Sequence, residues 1–568
     1  MAQSKKFKHR IPVKLRHNWK LVALCVAFLA ACWGVFGTGT IRPYVTTAQA
    51  AEAETVTTNL TGTKDLFDAS VAHEVQLTFT DEAYEDMLSE YFKEGEKKYL
   101  EADLTIDGTR IPSVGVRLKG NSTLMGLTWK GQSKQRAMPG GGRRPEGMPK
   151  GFQPPEGFQP PGNGQPQTGQ PQTGQPQTGQ PQTGQPQTGQ PQTGQPQTGQ
   201  PQTGQPQGNG GPPGGGMFGA SLKGEEPENL PWLISFDEFV EGRRYQGHSQ
   251  VAVRPAATGS TTMLNEALGI AVVGASGEPT QRSTYSSFTV NGRSSTPRLV
   301  VEYLDEGYAE GLGNGVLYKS LATSSFSYKG EDQTEYTTDF KQIDKVGGKD
   351  LQPVIDLVKW VNEASDAEFA EGLADRLDVE SFARYLALQN IMVNFDDMAG
   401  PGRNYYLWYD LNTKKFKVIT WDLNLAFNGD ATSGVNDTIA MGFGQGRPQQ
   451  NQQAQTRQQG QPAQGFTPPE NAGQGGPEGG MMRMGHPLKE KFLKNATFKK
   501  VYEEQHRALY AKLLEGGTAS GLLDDLVTSY ELNEGADTAK IDAEAQTLRT
   551  FLQTRTETLR SDKAISGA

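Results

Sequence analysis

Cysteine is almost absent from this chain: Cys25 and Cys32 are the only two among 568 residues, and both lie near the N-terminus. The remainder forms no disulfide and offers no thiolate to a structural zinc, so a folded core must stand without cross-links. Histidine is nearly as scarce, with six scattered residues and no HExxH spacing, which argues against a histidine-held metal centre. Basic excess is missing too. Against 55 Lys and Arg stand 64 Asp and Glu, giving a net charge of -9, and no nucleic-acid partner is implied. An acidic total speaks to solubility and says little about chemistry.

Positive charge is concentrated instead in the first 20 residues, which hold seven Lys or Arg and no acid. Leu21 to Gly37 follows as "LVALCVAFLAACWGVFG", an apolar run. A basic flank before an apolar run is an export signal or an anchor, with the basic side left in the cytoplasm and the bulk of the chain outside. Three outcomes stay open: cleavage after "AQA" at Ala48–Ala50, retention as a membrane anchor, or lipidation at Cys32, where "LAAC" resembles a lipobox. The expected location is the outward face of the cell membrane, or secretion.

The 69 glycines and 34 prolines cluster, so about two thirds of the chain is expected to fold, enough for a large core. Residues 51–65 read as a linker and 66–132 as a first folded block. In that block "HEVQLTFT" alternates as a strand, "DEAYEDMLSEYF" reads as a helix from Asp81, and "YLEADLTIDGTRIPSVGVRLKG" gives two strands around an Asp-Gly turn. Residues 133–228 are Gly, Pro and Gln, with eight consecutive copies of Pro-Gln-Thr-Gly-Gln from Pro166 to Gln205. No repeat carries a large apolar side chain, so a disordered surface insertion is expected, available for cell-wall contacts. Residues 229–442 form the main block: two strands around Gln250–Arg254 in "SQVAVRP", a helix over Thr261–Val273, an Asn-Gly hairpin in "STYSSFTVNGRSSTPRLVVEYLDEGYAEGL", a strand "GVLYKS", helices over 350–376, and a helix "VESFARYLALQNIMVNF" capped by Asp378. A second Gln/Gly/Pro-rich insertion spans 443–486, and 487–560 is helical and packs on the block before it. The fold class is α+β, with a mixed-sheet lobe, a helix-rich lobe and two disordered insertions.

One stretch, "NFDDMAGPGRNYYLWYDLNTKKFKVITWDLNLAF" from Asn394 to Phe427, sets three polar groups around a hairpin. Asp396 ends the preceding helix. Asn404 lies beyond a loop with two glycines and a proline, and Asp422 closes the second strand. Strands of similar length bring Asn404 and Asp422 to one end. Metal-assisted phosphoryl transfer needs a carboxylate to take the proton of the attacking hydroxyl, plus a carboxylate and an amide to hold Mg²⁺ or Mn²⁺ against phosphates. The spacing supplies those groups. The plainer alternative makes Asp396 a loop residue and Asp422 a turn former, and Asp397 competes with Asp396 for the inward position.

"NFD" at Asn394–Asp396, "NYYLW" at Asn404–Trp408, "WDLN" at Trp421–Asn424, "KGNS" at Lys119–Ser122 and "LYK" at Leu317–Lys319 together resemble the CotH family, the spore-coat-protein-H kinases. That family is similar to an atypical protein-kinase-like two-lobe fold. The resemblance covers about residues 65–132, 229–440 and 487–560. It implies ATP-dependent phosphorylation of Ser or Thr on a protein substrate, with Mg²⁺ or Mn²⁺ as cofactor. Asp396 takes the place of the catalytic Asp, and Asn404 and Asp422 those of the metal ligands. Glu266 matches the helix glutamate, and Glu302 the glutamate after the Asn-Gly hairpin. Relatives carry a lysine in a segment like "SFKIEFD", which here reads "PWLISFD" over Pro231–Asp237. The cation for the nucleotide phosphates must come from elsewhere, with Lys119, Arg254, Arg298 and Lys319 as candidates. The alternative to an active enzyme is a catalytically weak or inactive module that binds at the cell surface.

Overall fold

A computed structural model describes residues 20, 28, 56–121, 123–133, 222–255, 260–344, 346–439 and 485–567. The apolar run with Cys32 except Phe28, the Ala48–Ala50 site, Ser122, the Pro-Gln-Thr-Gly-Gln repeats and nearly all of the second Gln/Gly/Pro-rich segment fall outside them. Among the described residues no helix is long and apolar enough to cross a membrane.

The first half of the described chain is dominated by strands: β1 (Thr58–Leu60), β2 (Glu74–Thr78), β3 (Leu100–Ile106), β4 (Thr109–Leu118), β5 (Thr128–Trp129), β6 (Gln132–Ser133), β7 (Trp232–Ser235), β8 (Arg243–Tyr245), β9 (Gln250–Val253), β10 (Ser283–Val290) and β11 (Thr296–Glu302). Helix α1 (Asp81–Lys93) follows β2, and α2 (Leu264–Ser276) lies between β9 and β10. Seven of these strands close into a barrel in the order β10-β11-β9-β7-β4-β3-β2. All neighbours are antiparallel except the closing pair, β10 with β2. The β3–β4 turn is Asp107-Gly108, with φ of 46° and 80°, the left-handed pair that a two-residue hairpin of this twist requires. Alternate side chains such as Leu104, Ile111, Val116, Trp232 and Phe288 fill the barrel's own core.

Helix α3 (Glu306–Leu312) leads into β12 (Gly315–Ser320), then β13 (Phe340–Gln342), α4 (Gln352–Glu363), α5 (Asp366–Gly372), α6 (Val379–Ile391), β14 (Tyr405–Asp410) and β15 (Phe416–Thr420). The last four strands make an antiparallel sheet, β13-β12-β14-β15. The chain finishes in α7 (Pro487–Lys494), α8 (Ala496–Leu509), α9 (Thr518–Glu531), α10 (Thr538–Ser561) and α11 (Lys563–Ser566). A second, larger core joins α2, α4, α6 and α8 to α10 through Leu268, Val354, Phe382, Tyr502 and Leu552. The described residues belong to the compact unit Met1–Arg136 plus Gly215–Ala568. Helices and sheets are both abundant, so the class is α+β.

Composition misplaced several boundaries. The stretch assigned to the first insertion is already structured from Leu222. Leu222 is buried, Lys223 bridges to Thr128, and Gly224 accepts a hydrogen bond from the Tyr84 hydroxyl at 2.7 Å. His486, assigned to the second insertion, is buried at the start of α7. The helix expected over Thr261–Val273 runs Leu264–Ser276, because Met263 sits in the left-handed region at φ 59° and starts it late. The helix before the site stops at Ile391, so Asp396 does not end it but lies in the turn beyond.

Candidate functional site

Strand β14 pairs with β15 from Tyr405↔Thr420 to Tyr409↔Phe416. Asn404 and Asp422 therefore leave the hairpin at the same end, as equal strand lengths require. Asp422 itself has φ 55°, a conformation that costs an L-residue energy and turns the chain sharply out of the sheet.

Helix α6 delivers the opposite group. Asp378 caps it by accepting from the Ser381 amide at 3.0 Å. The helix then breaks at Val393, a β-branched residue held at φ 48°. In the turn that follows, Asn394 Oδ1 accepts from the Asp396 amide at 3.2 Å, and Asn394 Nδ2 donates to Gln389 at 2.8 Å. Asp396 is 9% exposed, and both its oxygens are engaged. Gly402 N donates to Oδ1 at 2.6 Å and Asn404 Nδ2 to Oδ2 at 3.0 Å. Burial pushes the carboxyl up to about 6, with the charge of Asp422 adding to the rise against those two bonds. The loop glycines are required by space. A Cβ on Gly402 would stand 2.6 Å from Asn404 Nδ2 and 2.7 Å from Asp396 Oδ2, and one on Gly400 would stand 2.5 Å from the Asp396 Cα.

Asp397 turns away from this arrangement. Its carboxylate accepts from the Ala399 amide at 2.8 Å and pairs with Lys489 on α7. The rest of the loop is fastened to the same place. Arg403 donates to the Gly485 carbonyl at 2.7 Å, and His486 shares a hydrogen bond with the Tyr405 hydroxyl at 3.1 Å.

Beside Asp422 stands a guanidinium paired with two carboxylates. Arg254, just past β9, donates through Nε to Glu266 at 2.6 Å and through Nη2 to Asp422 at 2.6 Å. Glu266 lies in the first turn of α2 and is 2% exposed. Burial opposes the charge on Arg254, but the two carboxylates outweigh it and raise its pKa. Burial raises Glu266 against the pull of Arg254. For Asp422, burial would raise the carboxyl, yet Arg254 and Lys119 overcome that and hold it below the usual range. Lys119, just past β4, is pushed down to about 7 by burial and by the charge of Arg254. Its ammonium lies 5.2 Å from the Trp421 ring centre. Lys319 on β12 lies 5.0 Å from the same ring, 5.5 Å from Tyr406 and 5.7 Å from Tyr303.

Two of the expected cofactor-binding residues are elsewhere. Arg298 on β11 spends its guanidinium on backbone carbonyls: Arg254 at 2.7 Å, Leu230 at 2.8 Å, and Glu228. It ties β11 to its neighbours, and no donor is directed at the Asp422 group. Glu302 ends β11 on the face opposite Val301, and it is Val301 that lines the space by Arg254. Its carboxylate accepts from the Arg282 amide at 2.9 Å and lies 3.5 Å from His248 Nδ1. Burial pushes it up to about 7. Gln281 and Trp421 line the space beside Arg254 as well; of these, Gln281 was not foreseen.

The donor set suits a hard divalent ion: one carboxylate oxygen of Asp422 and the amide oxygen of Asn404, whose nitrogen is already turned to Asp396. Among the described residues no three His, Cys, Asp or Glu gather as a metal-ligating group. An ion here would take few protein ligands, which is ordinary for one that also binds phosphates.

A seven-stranded barrel and a four-stranded sheet backed by helices define an α+β protein, with Arg254 clamped between Glu266 and Asp422. The family model for CotH, described as CotH kinase protein, matches residues 219–559, more than half of the chain, and the chain belongs to that family. No curated protein matches it. Of the residues named above as catalytic, metal-binding or cofactor-binding candidates, Lys119 alone lies outside the matched span; β4 brings it in.

Proposed function

We propose that the chain is a protein kinase of atypical two-lobe build, the barrel forming one lobe and the helical part with the four-stranded sheet the other. Its reaction is transfer of a phosphoryl group from ATP to a Ser or Thr hydroxyl of a protein. The observation that carries this reading is the pairing of Arg254 with both Glu266 and Asp422 at 2.6 Å, close to a buried Asp396 whose carboxyl titrates near 6. A basic side chain on a sheet, paired with a glutamate on a helix, is the arrangement that orders nucleotide phosphates in protein kinases. Arginine fills the lysine's role here, with a fork in place of a point charge.

Asp396 orients the acceptor hydroxyl and takes its proton, and a carboxyl titrating near 6 is mostly ionised at neutral pH. Asn404 holds Asp396 with its nitrogen, and its oxygen and the Asp422 carboxylate would hold a metal ion. Mg²⁺ or Mn²⁺ would neutralise charge on the transferring group. Arg254, Lys119 and Lys319 supply positive charge for the phosphates. A Lys119 poised near 7 gains its proton when phosphate arrives. The acceptor is a protein outside the cytoplasm, reached by export through the N-terminal segment, with the low-complexity stretches free for cell-wall contacts.

One observation favours a second reading, a kinase-like module without turnover. The side chains of Lys119, Arg254, Glu266, Trp421 and Asp422 leave no water-sized void between them, so phosphates must displace Lys119 or part the Arg254–Asp422 pair. Incubation of the full chain with labelled ATP, Mn²⁺ and a protein mixture separates the two. Incorporation that Asp396→Asn abolishes supports the kinase. Incorporation no greater than the Asp396→Asn background, with no ATP-dependent thermal shift, supports the inert module.

A further inference from the structure

Helix α10 lies far along the chain from every group discussed above, yet it touches the supports of both halves of the site. Arg555, in its second half, is fully buried, and among the described residues its guanidinium hydrogen-bonds to carbonyl oxygens and to no carboxylate. Its guanidinium is spent on the ends of two other segments. Nη2 donates to the Asn390 carbonyl at 2.9 Å and to the Asn390 side chain at 2.6 Å, and Nε donates to the Ile391 carbonyl at 3.2 Å. These are the last residues of α6, immediately before the Val393 break and the Asp396 turn. Nη1 donates to the Ser433 carbonyl and, at 3.4 Å, to that of Ala431, in the stretch that follows Asp422 and Phe427. Asn390 completes the lock: its Nδ2 donates to the Gly434 carbonyl at 3.1 Å, and its Oδ1 shares a hydrogen bond with His506 at 2.8 Å.

Three helical turns earlier, on the same face, Glu544 grips the entrance to α2. Its carboxylate accepts from Ser260 Oγ at 2.6 Å, Thr261 Oγ1 at 2.6 Å, Thr261 N at 2.8 Å and Thr262 Oγ1 at 2.7 Å. Ser260 Oγ in turn accepts from the Leu264 amide at 3.1 Å, two residues before Glu266. A buried guanidinium with only carbonyl partners is costly to keep unless the geometry it fixes matters.

We propose that α10 is the positioning element of the site: Arg555 registers the Asp396 turn against the segment behind Asp422, and Glu544 registers the helix that carries Glu266. This rests on the kinase reading for its kinetic consequence, but not for its structural one. The two contacts sit on different halves, so their loss separates in kinetics. A displaced Asp396 slows the chemical step, and a displaced Glu266 loosens the hold of Arg254 on phosphate.

The test uses the full chain with Arg555→Lys, which keeps the charge and loses the fork, and Glu544→Ala. Steady-state transfer from ATP and hydrogen exchange at residues 394–404 and 264–276 are measured on each. Arg555→Lys is expected to lower kcat at least tenfold with KM for ATP within twofold, and to speed exchange at 394–404 only. Glu544→Ala is expected to raise KM for ATP at least fivefold with kcat within twofold, and to speed exchange at 264–276 only. If Arg555→Lys does not fold, Asn390→Ala, which removes one acceptor, takes its place with the same expectation. Kinetics within twofold and unchanged exchange in both variants overturn the proposal, as does equal loss of kcat and KM performance in both. Should the wild-type chain transfer no phosphate, the kinase reading fails alone, and the exchange pattern still decides the positioning roles.

Discussion

Replacing Arg254 by methionine exposes how the site is held. The substitution leaves Glu266 and Asp422 without the cation that lies 2.6 Å from each. Asp422 retains some access to water, its side chain being 29% exposed, and Lys119 remains beside it. Glu266 is 2% exposed and has Lys119 as its remaining cation. Removing one partner of a buried pair costs about 3–5 kcal/mol, since the other charge is left uncompensated. A carboxylate escapes that cost by taking a proton. From a reference value of about 4.3, protonation at pH 7 costs about 4 kcal/mol and at pH 5 about 1 kcal/mol, which caps the penalty at each pH. The sign follows from the direction of the shift. Glu266 is already raised in the wild type and rises further without Arg254, and a carboxyl raised on folding stabilises below its unfolded value and loses that contribution as pH climbs. Arg254→Met is therefore expected to lose about 3–4 kcal/mol at pH 7 and about 1 kcal/mol at pH 5 relative to wild type. Urea unfolding of both chains at the two pH values, followed by tryptophan fluorescence, reads the difference. Equal losses at both pH values, or a larger loss at pH 5, refute the reasoning.

Other outcomes follow from single contacts. Transfer activity is expected to rise with an acid limb centred near pH 6, because Asp396 accepts a proton only when ionised; a limb below pH 5 contradicts the burial argument. Asp396→Asn removes a carboxylate that folding disfavours, so above pH 7 its Tm is expected to exceed wild type by about 2 °C while activity is lost, as calorimetry and labelled-ATP assays check. Gly402→Ala forces a Cβ to within 2.7 Å of Asp396 Oδ2 and is expected to cut activity more than tenfold with unchanged circular dichroism. Arg298→Met orphans three carbonyl acceptors and is expected to cost about 2–4 kcal/mol, while the ATP-dependent thermal shift persists in the folded fraction.

What could be read in advance depended on whether a residue's partner is local. The β14–β15 hairpin was legible because alternation and a polar turn lie within a few residues of each other, and equal strand lengths placed Asn404 near Asp422. The Asp107-Gly108 turn was legible for the same reason. The choice between Asp396 and Asp397 was not, because it is made by Lys489, more than ninety residues away and beyond a low-complexity stretch. Arg254 and Arg298 both looked like free cations. One meets two carboxylates and the other meets backbone carbonyls, and carbonyls leave no trace in a sequence. Glu302 came from the family resemblance; on β11 its neighbour Val301 lines the space by Arg254, and alternation turns Glu302 to the other face. Leu222 and His486 were hidden by the composition of the segments around them.

In the proposed reaction Asp422 and Asn404 would hold a divalent ion beside Asp396. Titration of the full chain with Mn²⁺ in the presence of a non-hydrolysable ATP analogue, followed by electron paramagnetic resonance, tests it most directly. Binding that Asp422→Ala abolishes and Asp396→Asn preserves is the expected result. Binding of equal strength in Asp422→Ala, or none in the wild-type chain, contradicts it.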